Sequence, residues 1–104
     1  MAIRKGNNNN FDQLTSEGFA LVDFYSDTCN PCKILAVILE EVDKDLPFIN
    51  TVKVNITDEK EMSEKFGIMA VPTIVFMKDG KEVERHIGVL REEEIKEKIS
   101  KYYY

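Results

Sequence analysis

The sequence predicts an α/β domain of three layers, α/β/α, with helices on both faces of a mixed central sheet of about five strands and four helices in all. Three observations carry this. Strand-like and helix-like patterns alternate along most of the chain, which calls for crossover helices and parallel strands. Phe19–Tyr25 is a near-continuous apolar run, rich in aromatic and β-branched residues and without period-two alternation, as in a strand covered on both faces. Asp79-Gly80 lies between two β-rich stretches and signals a tight hairpin, hence an antiparallel pair.

Residues 2–4 open the chain as a short strand. The Asn residues at 7–10 follow, and Asn side chains accept the unpaired N–H groups of a first helical turn, so a helix is expected over 12–17, stopped by Gly18. Phe19–Tyr25 is the central strand. Leu35, Ile38, Leu39 and Val42 then recur at i, i+3, i+4 and i+7, with Glu40, Glu41 and Lys44 opposite them, the pattern of a helix with one core face and one wet face. Leu46-Pro47 breaks it. Val52, Val54 and Ile56 alternate with Lys53 and Asn55, which predicts a strand within 48–56. Asp58 with Glu61 three residues later resembles a capping box, opening a helix that Gly67 stops. Strands over 73–77 and 82–87 flank the hairpin turn. In the closing helix Glu92, Glu93 and Glu94 come early and Lys96, Lys98 and Lys101 late, matching the helix dipole, while Ile95, Ile99, Tyr102 and Tyr103 form an apolar stripe that Tyr104 extends. No repeat, linker or composition shift divides the chain, so residues 1–104 are expected to form one domain.

Charge and composition exclude several function classes. With 14 Lys and Arg against 19 Asp and Glu, a net charge of −5 and no basic stripe, the surface repels phosphate backbones, and nucleic acid is not an expected partner. The longest apolar stretches fall far short of the ~18 residues of a membrane span, and the opening MAIRKGNNNN has charge but no apolar segment behind it. A cytoplasmic monomer is expected, with no membrane contact. A chain of this length buries roughly 60–70% of its unfolded surface, so neither cysteine is needed as a staple. In a reducing compartment two cysteines point to catalysis or metal binding.

Cys29-Asn30-Pro31-Cys32 falls between the apolar strand and the amphipathic helix, which sets the first thiol at a helix N-terminus, among backbone N–H groups that lack carbonyl partners. A free thiol of pKa about 8.5 is mostly protonated at neutral pH, and bringing it near 7 takes roughly 2 kcal/mol. A partly buried helix N-terminus supplies up to about 2 kcal/mol, so no neighbouring His or Arg is required. Two intervening residues let the sulfurs meet across the first turn, and Pro31 costs nothing where the N–H is unpaired anyway. The pair can therefore cycle between dithiol and disulfide. A purely structural disulfide closing so small a loop constrains little of the unfolded chain. A zinc or iron–sulfur site needs about four ligands, whereas this chain offers one CxxC and a distant His86, which leaves only a cluster shared between two chains. No metal and no bound cofactor is expected. His86 reads as a solvated edge-strand side chain, and Asn55-Ile56-Thr57 fits a glycosylation sequon that means nothing without secretion.

VDFYSDTCNPCK, then KVNI, GIMAVPTIVFMKDG and a late IG together resemble the thioredoxin family over nearly the whole chain. The resemblance implies the thioredoxin fold and protein disulfide reduction, with disulfide-containing targets and a thioredoxin reductase as partners. It implies that Cys29 is the attacking thiol and Cys32 the buried resolving thiol, that Asp23 on the central strand moves a proton with Lys53 nearby, and that Pro72 is a cis-proline facing the cysteines. Ala70, Val71 and Gly88, with Asn30 and Pro31, correspond to parts of the substrate groove. An Asp in an apolar strand has a raised pKa when desolvated, which suits a proton acceptor for Cys32. Two other readings stay open at this stage: a disulfide oxidase or isomerase, and a binding module that holds partners at the groove whatever the state of the cysteines.

Three positions depart from the family pattern. The usual Trp before the first cysteine is Thr28, the usual Gly inside the motif is Asn30, and the proline that commonly kinks the active-site helix is Val37. Loss of the aromatic lip bears on partner affinity, and a helix without its proline is expected to be straighter. The inter-cysteine dipeptide bears on redox potential, since backbone amides there stabilise the thiolate. Equilibrated against glutathione, the wild-type couple is expected to be more oxidising than that of Asn30→Gly; a lower or equal wild-type potential rejects the idea.

Overall fold

The computed structural model describes residues 3–103. Its elements run β1 (Arg4–Lys5), α1 (Phe11–Thr15), β2 (Phe19–Tyr25), α2 (Asn30–Asp45), β3 (Asn50–Asn55), α3 (Lys60–Lys65), β4 (Thr73–Lys78), β5 (Lys81–Ile87) and α4 (Glu92–Tyr103). The sheet order is β1-β3-β2-β4-β5, with β1, β3 and β2 parallel and β4 and β5 antiparallel to their neighbours. The expected order of elements and the mixed sheet are both present. The first strand, expected over 2–4, is formed by Arg4–Lys5, and Ala2 and Tyr104 lie outside the described residues.

The apolar run of β2 takes the centre of the sheet because its two faces are both needed. Phe19 and Leu21 pack with Leu35, Leu39 and Val42 of α2 and with Ile95 and Ile99 of α4. Ala20, Val22 and Phe24 pack on the other side with Phe11 of α1 and Met62 of α3. Strand side chains alternate faces, so Asp23 shares the side of Leu21, underneath α2. Register sets Lys53 of β3 directly beside it. α2 continues unbroken past Val37, which is exposed.

Three local expectations are corrected. The Asn run does not cap α1 through Asn10: Asn7 Oδ1 accepts the N–H groups of Asn9 and Asn10, while Asn10 Oδ1 turns back to accept from Asn7 N–H at 2.8 Å. That helix ends at Thr15, short of the expected 17, where the Thr15 hydroxyl bonds the carbonyl of Phe11 at 3.0 Å before the chain turns into β2. The Asp58–Glu61 box does not form either. Asn55 Oδ1 accepts from the N–H groups of Thr57 and Asp58, and Glu61 instead accepts from the Asn8 side chain at 2.7 Å. In the second case a distant partner, Asn8, holds the Glu61 carboxylate, whereas the Asn7–Asn10 bonds are local. Asn55 is also buried and bonded to Asp27, so the sequon has no accessible acceptor.

The hairpin takes the form its dipeptide demands, with φ of 49° at Asp79 and 85° at Gly80, the two positive values of a type I′ turn. Along β4 and β5 a register shift at Phe76/Met77 marks a bulge at Val83 of β5. On α4, Tyr102 donates its hydroxyl to Glu84 at 2.7 Å and the Tyr103 ring lies 5.2 Å from Phe48, so both tyrosines pack on the fold.

Gly6 is fixed by packing: a Cβ there would lie 2.6 Å from Val52 Cγ1 and 3.2 Å from Val54 Cγ2, while its N–H bonds the Lys53 carbonyl at 2.7 Å. Gly6→Ala is therefore expected to destabilise the protein by about 1–3 kcal/mol, read as a lower urea midpoint with an unchanged slope. A midpoint equal to wild type would show that β1 and β3 separate freely.

Candidate active site

The turn 26–29 carries the chain from the end of β2 to the start of α2. Cys29 is the N-cap of α2, with extended backbone at φ −97° and ψ 108°, and its Sγ accepts the Cys32 N–H at 3.1 Å. Pro31 falls within the first turn, where its missing N–H leaves no bond unmade. The two cysteines form a disulfide with Cα atoms 5.2 Å apart. Cys29 is half-buried, whereas Cys32 is only 3% exposed. The same first-turn amide that reaches Cys29 Sγ favours its thiolate once the bond is reduced.

Asp23 is 1% exposed, and neither carboxylate oxygen has a hydrogen-bond donor among the described residues. Burial pushes its pKa up to about 7, with the nearby Lys53 ammonium pulling the other way. Lys53 also lies 4.9 Å from the centre of the Tyr25 ring. A cavity of about 140 Å³ is bordered by Asp23, Cys32, Ser26, Ala36 and Lys53, so the carboxyl, the buried sulfur and the ammonium open on one space.

The β2–β4 register pairs Phe24 with Thr73, which puts the cis Val71-Pro72 bond at the same end of the sheet as the cysteine turn. Pro72 is buried, and its carbonyl accepts the Gly88 N–H at 2.8 Å. Gly88 has φ 104°, a conformation that side chains strain. The Thr73 hydroxyl bonds the Ala70 carbonyl at 2.7 Å. Ala70, Val71 and Gly88 therefore form one ledge at this end of the sheet. Asn30, Pro31 and Thr28 are exposed. The sequence reading missed Met69, 95% exposed beside Ala70, and the partly exposed apolar Val89. Their signal was the apolar character of both residues beside the VPT and IG elements. Among the described residues no group of three or more His, Cys, Asp or Glu is arranged to hold a metal ion.

A family model described as Thioredoxin matches residues 2–101. The chain belongs to the thioredoxin family. It is 37% identical over 103 residues to the thioredoxin of Bacillus subtilis, covering 98% of this chain and 99% of that one. It is 40% identical over 93 residues to the thioredoxin of Listeria monocytogenes, covering 88% and 90%. A solved chain from work on thiol resolution in yeast mitochondrial 1-Cys peroxiredoxin via glutathione/thioredoxin systems superposes with a TM-score of 0.86 at 24% identity, over 96% of this chain and 95% of the other, which supports the fold. This member of the family is a dithiol-disulfide oxidoreductase, a protein-disulfide reductase working through Cys29 and Cys32. No helix among its described residues is long and apolar enough to cross a membrane.

The buried carboxyl makes this protein's stability depend on pH. The fold holds the Asp23 proton up to about pH 7, whereas in the unfolded chain the group ionises near 3.8. Within that window the fold binds more protons than the unfolded chain, so this group lowers stability as pH rises from 3.8 to about 7 and no further above it. Asp23→Asn is expected to remove that decline and to be more stable than wild type at pH 8, by up to about 4 kcal/mol. Denaturation of both proteins at pH 4 and pH 8 checks it; a variant less stable at both would make Asp23 a structural carboxylate.

Proposed function

We propose that Cys29 is the nucleophile of a thioredoxin cycle and Cys32 its resolving thiol, with Asp23 as the proton acceptor for Cys32. The Cys29 thiolate attacks a target disulfide, forming a Cys29–target S–S bond and expelling the other target sulfur as thiolate. Cys32 then gives its proton to Asp23, and the resulting thiolate attacks Cys29 Sγ. The Cys29–Cys32 bond forms as the Cys29–target bond breaks, and the target leaves with both sulfurs reduced. Two electrons pass from the dithiol to the target. The observation that carries this reading is the asymmetry of the pair, a half-buried sulfur receiving a first-turn amide and a second sulfur 3% exposed.

Lys53 tempers the carboxyl, which without it would hold its proton more tightly. Pro72, Ala70, Val71 and Gly88 present the target's chain to Cys29, with Asn30 and Pro31 on the facing side. The oxidised form is returned to the dithiol by a thioredoxin reductase acting in trans, and the whole cycle runs in the cytoplasm on one domain over residues 1–104. The surface charge of −5 and the lack of a long apolar helix among the described residues support this setting.

Cys32→Ser leaves attack intact and removes the escape from the mixed disulfide, so adducts with target proteins are expected to accumulate in cells and dissolve on adding reductant. Cys29→Ser is expected to trap almost none, since the remaining thiol is buried. Comparable reductant-sensitive adducts from both folded variants would overturn the assignment of roles, and capture of partners that persists in a double Cys→Ser variant would show a redox-independent binding module.

A further inference from the structure

The carboxyl of Asp23 borders two openings. The front one, about 140 Å³, reaches Cys32 and is edged by Tyr25, Asp27 and Lys33. The back one is a larger cleft of about 530 Å³, edged by Ile3 and by Glu40, Asp43 and Lys44 of α2. Asp23, Ala36 and Lys53 border both. Lys44 stands about 18 Å along the helix from Cys32, at 1.5 Å per residue, so the back cleft extends well beyond the cysteine end of the helix.

We propose that the back cleft is the proton exit of Asp23, through which water carries the carboxyl proton to bulk solvent while a docked target covers the front of the site. This rests on the reading of Asp23 as the acceptor for Cys32. Each water takes about 30 Å³ of liquid volume and needs two to four polar partners. The cleft has room for several, and Glu40, Asp43, Lys44 and Lys53 supply the partners. Both oxygens of Asp23 lack protein donors, which leaves them for water on either side.

The chemistry requires such an outlet. Burial holds the Asp23 pKa at about 7, so near neutral pH many molecules meet a target with the carboxyl already protonated. In those the proton must leave before Cys32 can hand over its own. A protein target seated at Cys29 closes the front mouth, and Asp23 at 1% exposure has no direct contact with bulk water. The proton passes from Asp23 to cleft water and from there to solvent, with no change in oxidation state at any group.

The test narrows the back mouth from two independent sides with Ile3→Trp and Glu40→Trp, the second at an exposed position. The pre-reduced proteins are mixed in single turnover with insulin, whose chains cover the front, and with 5,5′-dithiobis(2-nitrobenzoate), a small disulfide that leaves it open. Each variant is expected to reduce insulin roughly fivefold more slowly or worse at pH 7 and the small disulfide at the wild-type rate. The deficit is expected to disappear above pH 8, where Asp23 enters the complex ionised, and to be absent in an Asp23→Asn background. Wild-type rates on insulin from both variants, or equal slowing on both substrates, would overturn the exit while a slow Asp23→Asn single variant left the acceptor reading standing. An Asp23→Asn variant as fast as wild type on insulin would overturn the acceptor reading and the exit with it.

Discussion

The first turn of α2 has N–H groups with no carbonyl to bind, and the active end of the molecule is arranged around that deficit. Cys29 sits where an Asn or Ser side chain would cap an ordinary helix, and its sulfur takes the amide of Cys32. A sulfur atom is a weak acceptor as a thiol and a strong one as a thiolate, so the uncapped turn favours the ionised state that the reaction needs. The requirement propagates outward. The helix must start within a few residues of the central strand, Pro must fall where no N–H is missed, and the second cysteine must lie one turn on, in the core.

Behind that turn lies a carboxyl in an apolar strand, and its position follows from parity alone. β2 alternates between two cores, so a residue at position 23 falls underneath α2 with Leu21, on the side from which Cys32 projects into the fold. Parallel pairing with β3 brings Lys53 alongside. Burial and the ammonium act on the carboxyl in opposite directions, and burial wins, which places its titration near neutrality rather than in the usual carboxylate range. The fold accepts a stability cost at neutral pH for a group that can both take and release a proton there.

The ledge at the same end of the sheet is built by a different device. A cis bond at Val71-Pro72 and the positive φ of Gly88 meet through one backbone bond from Gly88 to Pro72. Around them Met69 and Val89 are exposed apolar side chains. Thr28 stands in place of an aromatic lip in the turn before the cysteine.

Patterns spanning a few residues were sufficient for much of this. Phe19–Tyr25 announces a doubly covered strand by composition, Leu35, Leu39 and Val42 announce the buried face of α2, Asp79-Gly80 announces its turn, and CNPC between strand and helix announces the chemistry. Each rests on local physics: burial on one or two faces, backbone conformations open to few residues, and the unpaired amides of a helix start. Where the expected capping box failed, a distant residue had intervened. Asn8, 53 residues away, takes Glu61 from the expected capping box. The two mouths on either side of Asp23, the exposure of Met69 and the closeness of Gly6 to Val52 depend on how elements far apart in the chain are laid against one another. Local propensity carries no information about those distances, because packing sets them only after every element is in place.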